Sequence, residues 1–133
     1  MTYVLDANAM IAILFDEPGA SVVEDLLTQP DSLIYAHAIN LTEIYYWLLR
    51  KYGREKALLA YSGLQSLGIQ TRTDMDESFW QDAAWIKANY KLSLADAFAV
   101  AMARKTDGQL ITSDHHELEP LATSGVCSIR FFR

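Results

Sequence analysis

The chain has 133 residues and a formal net charge of −6, with 51% of its residues apolar and 21% charged. That length is the usual size of one domain able to bury its own core, and that composition excludes a disordered chain. No apolar run reaches the roughly 20 residues of a membrane span, and no basic stretch with a small-residue cleavage site opens the sequence, so the expectation is a cytoplasmic protein without membrane contact, one domain over residues 1–133.

Seventeen acidic residues against 11 basic ones argue against a basic surface that wraps nucleic acid regardless of sequence. The lone Cys127, in the apolar stretch "VCSIRFF", reads as a small buried hydrophobe. One cysteine makes neither an intrachain disulfide nor a zinc cluster.

Hydrophobic periodicity predicts a short strand at about residues 3 to 6, then a helix carrying Met10, Ile11, Ile13 and Leu14. After a break from Asp16 to Gly19, a second helix is expected from about Ala20 to Leu27. Pro30 and Asp31 then turn the chain into a strand near "SLIYA". "NLTEIYYWLLRKYG" reads as a helix with Leu41, Ile44, Leu48 and Tyr52 on one stripe, ending at Gly53. Another helix follows from about Arg54 to Leu67, stopped by Gly68, before a strand near "IQTR". A helix from about Asp76 to Tyr90, a helix over "SLADAFAVAMARKTDG" closed by Gly108, the strand "QLITS" and a last strand in "VCSIRFF" complete the pattern. Strands separated by helices along the whole chain predict a three-layer α/β sandwich, a mostly parallel central sheet flanked by helices.

In such a sheet the ligand crevice lies beyond the carboxyl ends of the strands. Asp6 ends the first strand and Asp114 ends "QLITS", while Glu43 and Asp96 each fall in the first turn of a predicted helix. Each acid has a structural alternative, but Asp6 is the hardest to dismiss, because a strand-ending Asp followed by Ala7 and Asn8 offers two oxygen donors at one sharp turn. Asn40-x-x-Glu43 and Ser93-x-x-Asp96 fit the capping box, as does Thr73-x-x-Asp76, and Asp114 could simply start a helix. The joint pattern weighs more. Four carboxylates about 5 Å apart at an effective dielectric of about 20 repel by about 3 kcal/mol per pair, more than a marginally stable domain carries unaided. Protons or cations must then be taken up, and oxygen-only ligands favour magnesium or manganese over zinc.

The segments "YVLDAN", "NLTEIYY", "SLADAFAVAMA" and "LITSDHHEL", in this order and spacing, resemble the PIN-domain family, and within it the small stand-alone VapC-type ribonuclease toxins. The resemblance implies a PIN-like fold and an endoribonuclease that cuts RNA through an acidic quartet, Asp6, Glu43, Asp96 and Asp114, with one or two Mg2+ or Mn2+ ions. It implies that Asn8 and Thr112 support the site, that the products carry a 5′-phosphate and a 3′-hydroxyl, and that a homodimer is neutralised by a cognate antitoxin. Asp6, Asp96 and Asp114 are expected as direct ligands, and Glu43 as a ligand or a water-positioning base.

Arg50, Lys51, Arg54 and Lys56 cluster where one helix ends and the next begins, and Arg104 and Lys105 end the helix carrying Asp96. They read either as complements to helix C-termini or, for Arg50, Lys51, Arg104 and Lys105, as RNA phosphate contacts. His115 and His116 read as a solvated loop or, failing that, as RNA contacts or groups that tune the site near neutral pH, and Trp80 and Trp85 read as core residues. Tyr45, Tyr46 and Trp47 are consecutive and leave a second apolar helix face to be covered by another copy, an antitoxin helix or the domain itself. Two other functions compete. One is aspartyl-phosphate chemistry with Asp6 as nucleophile, against which Asn8 counts; the other is a non-catalytic RNA- or protein-binding module whose acids are only caps.

Overall fold

Tyr3, Val4 and Leu5 point alternately to the two sides of a strand, and both sides find an apolar partner layer. The computed structural model describes residues 1–133. Its elements are β1 (Thr2–Leu5), α1 (Ala7–Phe15), α2 (Ala20–Leu27), β2 (Leu33–His37), α3 (Ala38–Tyr52), α4 (Arg54–Ser66), β3 (Ile69–Arg72), α5 (Glu77–Asn89), α6 (Leu94–Thr106), β4 (Gln109–Thr112), α7 (His115–Ser124) and β5 (Ser128–Phe131). The five strands form one sheet in the order β3-β2-β1-β4-β5, and every pairing is parallel.

On one face Tyr3, Leu5 and Ile111 pack with Met10, Val23, Ile44 and Leu64 from α1 to α4. On the other, Val4 and Leu110 pack with Phe79, Ile86, Met102 and Leu121 from α5, α6 and α7. The result is the expected helix–sheet–helix sandwich. Helix α6 is enclosed almost completely: every residue from Ala97 to Ala103 is buried, and its alanines let neighbouring backbones come close.

Chain order places the site. From β1 the chain moves outward through β2 to β3, then crosses back to lay β4 on the other side of β1. The order reverses between β1 and β4, where parallel sheets open a crevice at their carboxyl edge. The register Leu5↔Ile111 brings Asp6, the next residue, alongside Thr112.

Several local expectations give way to the observed structure. Helix α3 starts before Asn40, because the His37 ring accepts a hydrogen bond from the Ile39 N–H at 3.1 Å and acts as the cap. Asn40 is therefore no cap; it is fully buried, and its amide donates to the Ala95 carbonyl of α6 at 3.2 Å. Glu43 accordingly lies in the second turn of α3. Asp76, rather than Thr73, caps α5 by accepting from the Phe79 N–H at 3.0 Å. Asp107, not Gly108, takes the left-handed conformation that closes α6. His115 and His116 belong to α7 instead of a loop. Trp80 and Trp85 are 44% and 49% exposed, because α5 buries only the stripe Phe79, Ala83 and Ile86. Tyr52 likewise leaves the buried stripe of α3 and is part exposed.

Two glycines separate backbone demand from habit. Gly19 has φ +88, and a Cβ there would lie 2.4 Å from the Phe132 carbonyl oxygen; Gly63, inside α4, meets nothing within 4 Å. Gly19→Ala is expected to lower stability by about 2 kcal/mol in urea denaturation, whereas Gly63→Ala should raise it by about 0.5–1 kcal/mol.

Candidate functional site

A carboxylate at the end of a buried strand must be solvated by the protein itself, and Asp6 is only 2% exposed. Its Oδ1 accepts from the Ala9 N–H at 2.9 Å, which caps α1. Burial pushes its pKa up to about 6, and the charges of Asp114 and Glu43 add to the rise; hydrogen bonds from Thr112 and Ala9 pull the other way. Thr112, fully buried at the end of β4, ties two acids together, because its hydroxyl oxygen also accepts from the Asp114 N–H at 3.1 Å.

Asp114 caps α7, its Oδ1 accepting from the Glu117 N–H at 3.0 Å. Asp96 lies in the first turn of α6, where the Ser93 hydroxyl oxygen accepts its N–H at 3.1 Å. Half of the expected capping box is present there. The other half is supplied from outside, since the Ser93 N–H donates to Glu117 Oε2 at 3.3 Å. Burial first, then a hydrogen bond with Glu117 and the charge of Asp6, raise the Asp96 carboxyl to about 8. Glu43, half-buried on α3, is raised by burial.

These side chains share one cleft of about 350 Å³, lined by Asp6, Glu43, Asp96, Asp114 and Glu117 together with Asn8, Ser93, Ile11, Ile44, Tyr46 and Trp47. No lysine or arginine lines it. Asp96, Asp114 and Glu117 offer carboxylate oxygens that lie within 4.8 Å of one another. An all-oxygen donor set of several close carboxylates, with no side-chain cation to neutralise it, fits a hard divalent cation such as Mg2+ or Mn2+.

Asp6, Glu43, Asp96 and Asp114 therefore come together, and Asn8 and Thr112 stand beside them. The basic candidates do not. Arg104 and Lys105 lie at the opposite end of α6 from Asp96, in ion pairs with Asp82 at 3.0 Å and Asp74 at 2.6 Å. Arg50 and Lys51 sit in the last turn of α3, beyond the cleft wall. Glu117 is the acid that sequence reasoning missed. The spacing Asp114-x-x-Glu117, three residues apart at a helix start, was its visible signal.

The sequence signature of the PIN domain matches residues 3–120. No curated protein sequence matches the chain significantly. Among solved structures, VapBC2 from Rickettsia felis, bound to a DNA fragment from its promoter, is similar with a TM-score of 0.78 at 14% identity, covering 98% of each chain. DNA-bound VapBC from Salmonella typhimurium is similar with a TM-score of 0.75 at 16% identity, covering 100% of this chain and 99% of that one. VapC20 from Mycobacterium tuberculosis, a sarcin-ricin loop cleaving toxin, is similar with a TM-score of 0.64 at 18% identity over 81% and 86% of the two chains. No helix is long and apolar enough to cross a membrane.

Raised carboxyl pKa values make stability depend on pH with a definite sign. The folded state holds protons on Asp6 and Asp96 that the unfolded chain has released, so their contribution is fully present below about pH 4 and is lost as pH rises through 6 and beyond. Asp6 alone accounts for about 3 kcal/mol of that loss. In EDTA, urea denaturation should show the protein less stable at pH 8 than at pH 5. Added Mg2+ or Mn2+ should raise the midpoint more at pH 8 than at pH 5.

Proposed function

The chain belongs to the PIN-domain family, and we propose that it is a metal-dependent endoribonuclease, the toxin of a type II toxin–antitoxin pair. The observation that carries this reading is the convergence of Asp6, Glu43, Asp96 and Asp114, from four separate stretches of chain, on one cleft with no side-chain cation. Asp6, Asp96 and Asp114 would hold the ion, with Glu117 as an additional donor. A bound Mg2+ or Mn2+ supplies a water of lowered pKa and neutralises charge at the scissile phosphate.

The protein's own groups do the positioning. The first turn of α1 fixes the Asp6 carboxylate, the Thr112 hydroxyl and the α7 cap fix Asp114, and Ser93 fixes the start of the helix bearing Asp96. Glu43 approaches from α3, where it can ligate or orient the attacking water and take its proton. Water adds to phosphorus and the bond to the 3′ oxygen breaks, leaving a 3′-hydroxyl and a 5′-phosphate. Asp6 as a phosphorylated nucleophile fits less well, because the cleft has no lysine or arginine to stabilise an acyl phosphate.

The partner in this reading is a cognate antitoxin. Support comes from the similar VapBC structures and from an apolar groove between α3 and α4, lined by Leu41, Tyr45, Leu49, Leu58 and Tyr61. An amphipathic antitoxin helix fits such a groove. Homodimerisation and a cytoplasmic location belong to the same proposal.

The test is cleavage of RNA with Mg2+ or Mn2+, with EDTA and with substituted acids. Asp6→Asn keeps a capping side chain, so circular dichroism should stay native while cleavage falls by about 100-fold or more; unchanged cleavage would refute the assignment. Glu117→Gln should raise the Mn2+ concentration that gives half-maximal cleavage by about tenfold. Transfer of phosphate to Asp6 would favour the phosphoryl-transfer alternative, and RNA binding without cutting would favour a non-catalytic module.

A further inference from the structure

Seven of the eleven basic residues lie outside the stretch from Arg50 to Lys56, and among those Arg72, Arg104, Lys105 and Arg133 are tied into ion pairs. Arg50, Lys51, Arg54 and Lys56 are all exposed, and none has a carboxylate within ion-pair distance. In a chain of net charge −6 this is a concentration of unpaired positive charge beside the acidic cleft.

Aromatic rings fill the space between. Phe15 and Tyr52, 40% and 38% exposed, lie nearly parallel with centroids 5.8 Å apart. The Trp47 ring meets Phe15 edge-on at 5.6 Å and Tyr52 at 6.2 Å. Lys51 Nζ stands 5.0 Å from the Trp47 ring and 5.7 Å from Tyr52, and Lys56 Nζ 5.9 Å from Tyr52. Trp47 also lines the acidic cleft. It is therefore shared between the carboxylates and the cations. One turn of α3 separates it from Glu43 and one more leads to Lys51.

The geometry points to a strand-binding ledge: Phe15, Trp47 and Tyr52, with Lys51 and Lys56, receive an unpaired nucleobase and the phosphates next to the scissile bond of single-stranded RNA. The inference rests on the ribonuclease reading for the strand's path into the cleft. Ring faces that accept any base and lysines that track a backbone are the elements of single-strand recognition. A duplex keeps its bases stacked inside and has nothing to offer these rings. The ledge also answers an electrostatic difficulty, because a phosphate backbone leaving an anionic cleft is held by cations as soon as it passes Trp47.

Anisotropy of a fluorescein-labelled, unstructured RNA oligomer, with Mg2+ and in an Asp6→Asn background so that the strand survives, tests this directly. Lys51→Ala with Lys56→Ala should weaken binding about tenfold at moderate salt and flatten the slope of log K against log salt by about 1.4. Trp47→Leu should weaken binding about fivefold with an unchanged slope. Arg130→Ala, which removes an exposed charge from β5, should change affinity less than twofold. Annealing the oligomer to its complement should abolish the effect of Trp47→Leu. Steady-state cleavage by the otherwise native enzyme separates the two readings. If RNA is cleaved and the paired lysine variant retains both its KM and its affinity, the ribonuclease assignment stands, the ledge is overturned and the face falls to a protein partner. If no divalent cation supports cleavage, yet the lysine and tryptophan variants lose single-strand affinity as stated, the ribonuclease assignment falls and the ledge stands.

Discussion

Carboxylates that share a cleft repel one another, and much of the structure serves to hold them there. Asp6 is anchored on three sides, by the strand it ends, by the first turn of α1 that it caps and by the Thr112 hydroxyl. Thr112 in turn fixes Asp114 through its backbone. Two acids that follow strands far apart in the chain thus meet beside one threonine at the place where the sheet reverses its order. Without this rigidity the acids would swing out to water, and no site would exist.

Positions of the other acids follow from packing rather than from the sheet. Helix α6 is buried on nearly every side from Ala97 to Ala103, which fixes the stretch directly after Asp96. Asn40 reinforces the start of α6 by donating to the Ala95 carbonyl from inside α3, the helix that also carries Glu43. The two helices are stitched together one residue from Asp96 and three from Glu43. His37 completes the junction: it caps α3, its Nε2 reaches the Asp74 carbonyl at 2.8 Å, and its ring clusters with Phe79 and Phe98, which also touch each other. Asp74 is held well below the usual carboxylate range by Arg72 and Lys105. The far end of α6 is tied down through Lys105, which pairs with Asp74 at 2.6 Å.

Much of this was legible in the sequence, for reasons that differ by element. Strand β1 is a short run of β-formers ended by Asp6, β3 and β4 start directly after Gly68 and Gly108, and α2 begins at Ala20, directly after Gly19. Acids at strand ends could be gathered on one rim because a parallel sheet leaves few other places for them. Helix α7 was legible only as a possible start at Asp114, its body masked by Pro120 and a short apolar pattern. The start of α3 was misread because a histidine caps it, while Asn40, the expected cap, is spent on a contact 55 residues away. Trp80 and Trp85 misled through local company: apolar neighbours in sequence say nothing about which stripe of the helix turns inward. Glu117 escaped notice because its role appears only when α7 is brought against the start of α6.

The cap formed by Asp6 separates two roles. The bond to the Ala9 N–H asks only for an oxygen acceptor, which an amide supplies as well as a carboxylate. Replacing a single oxygen by nitrogen at this position therefore removes a charge while leaving the architecture its anchor. Folding and chemistry are uncoupled at that atom: a molecule that loses its charge there keeps its packing and every outer surface.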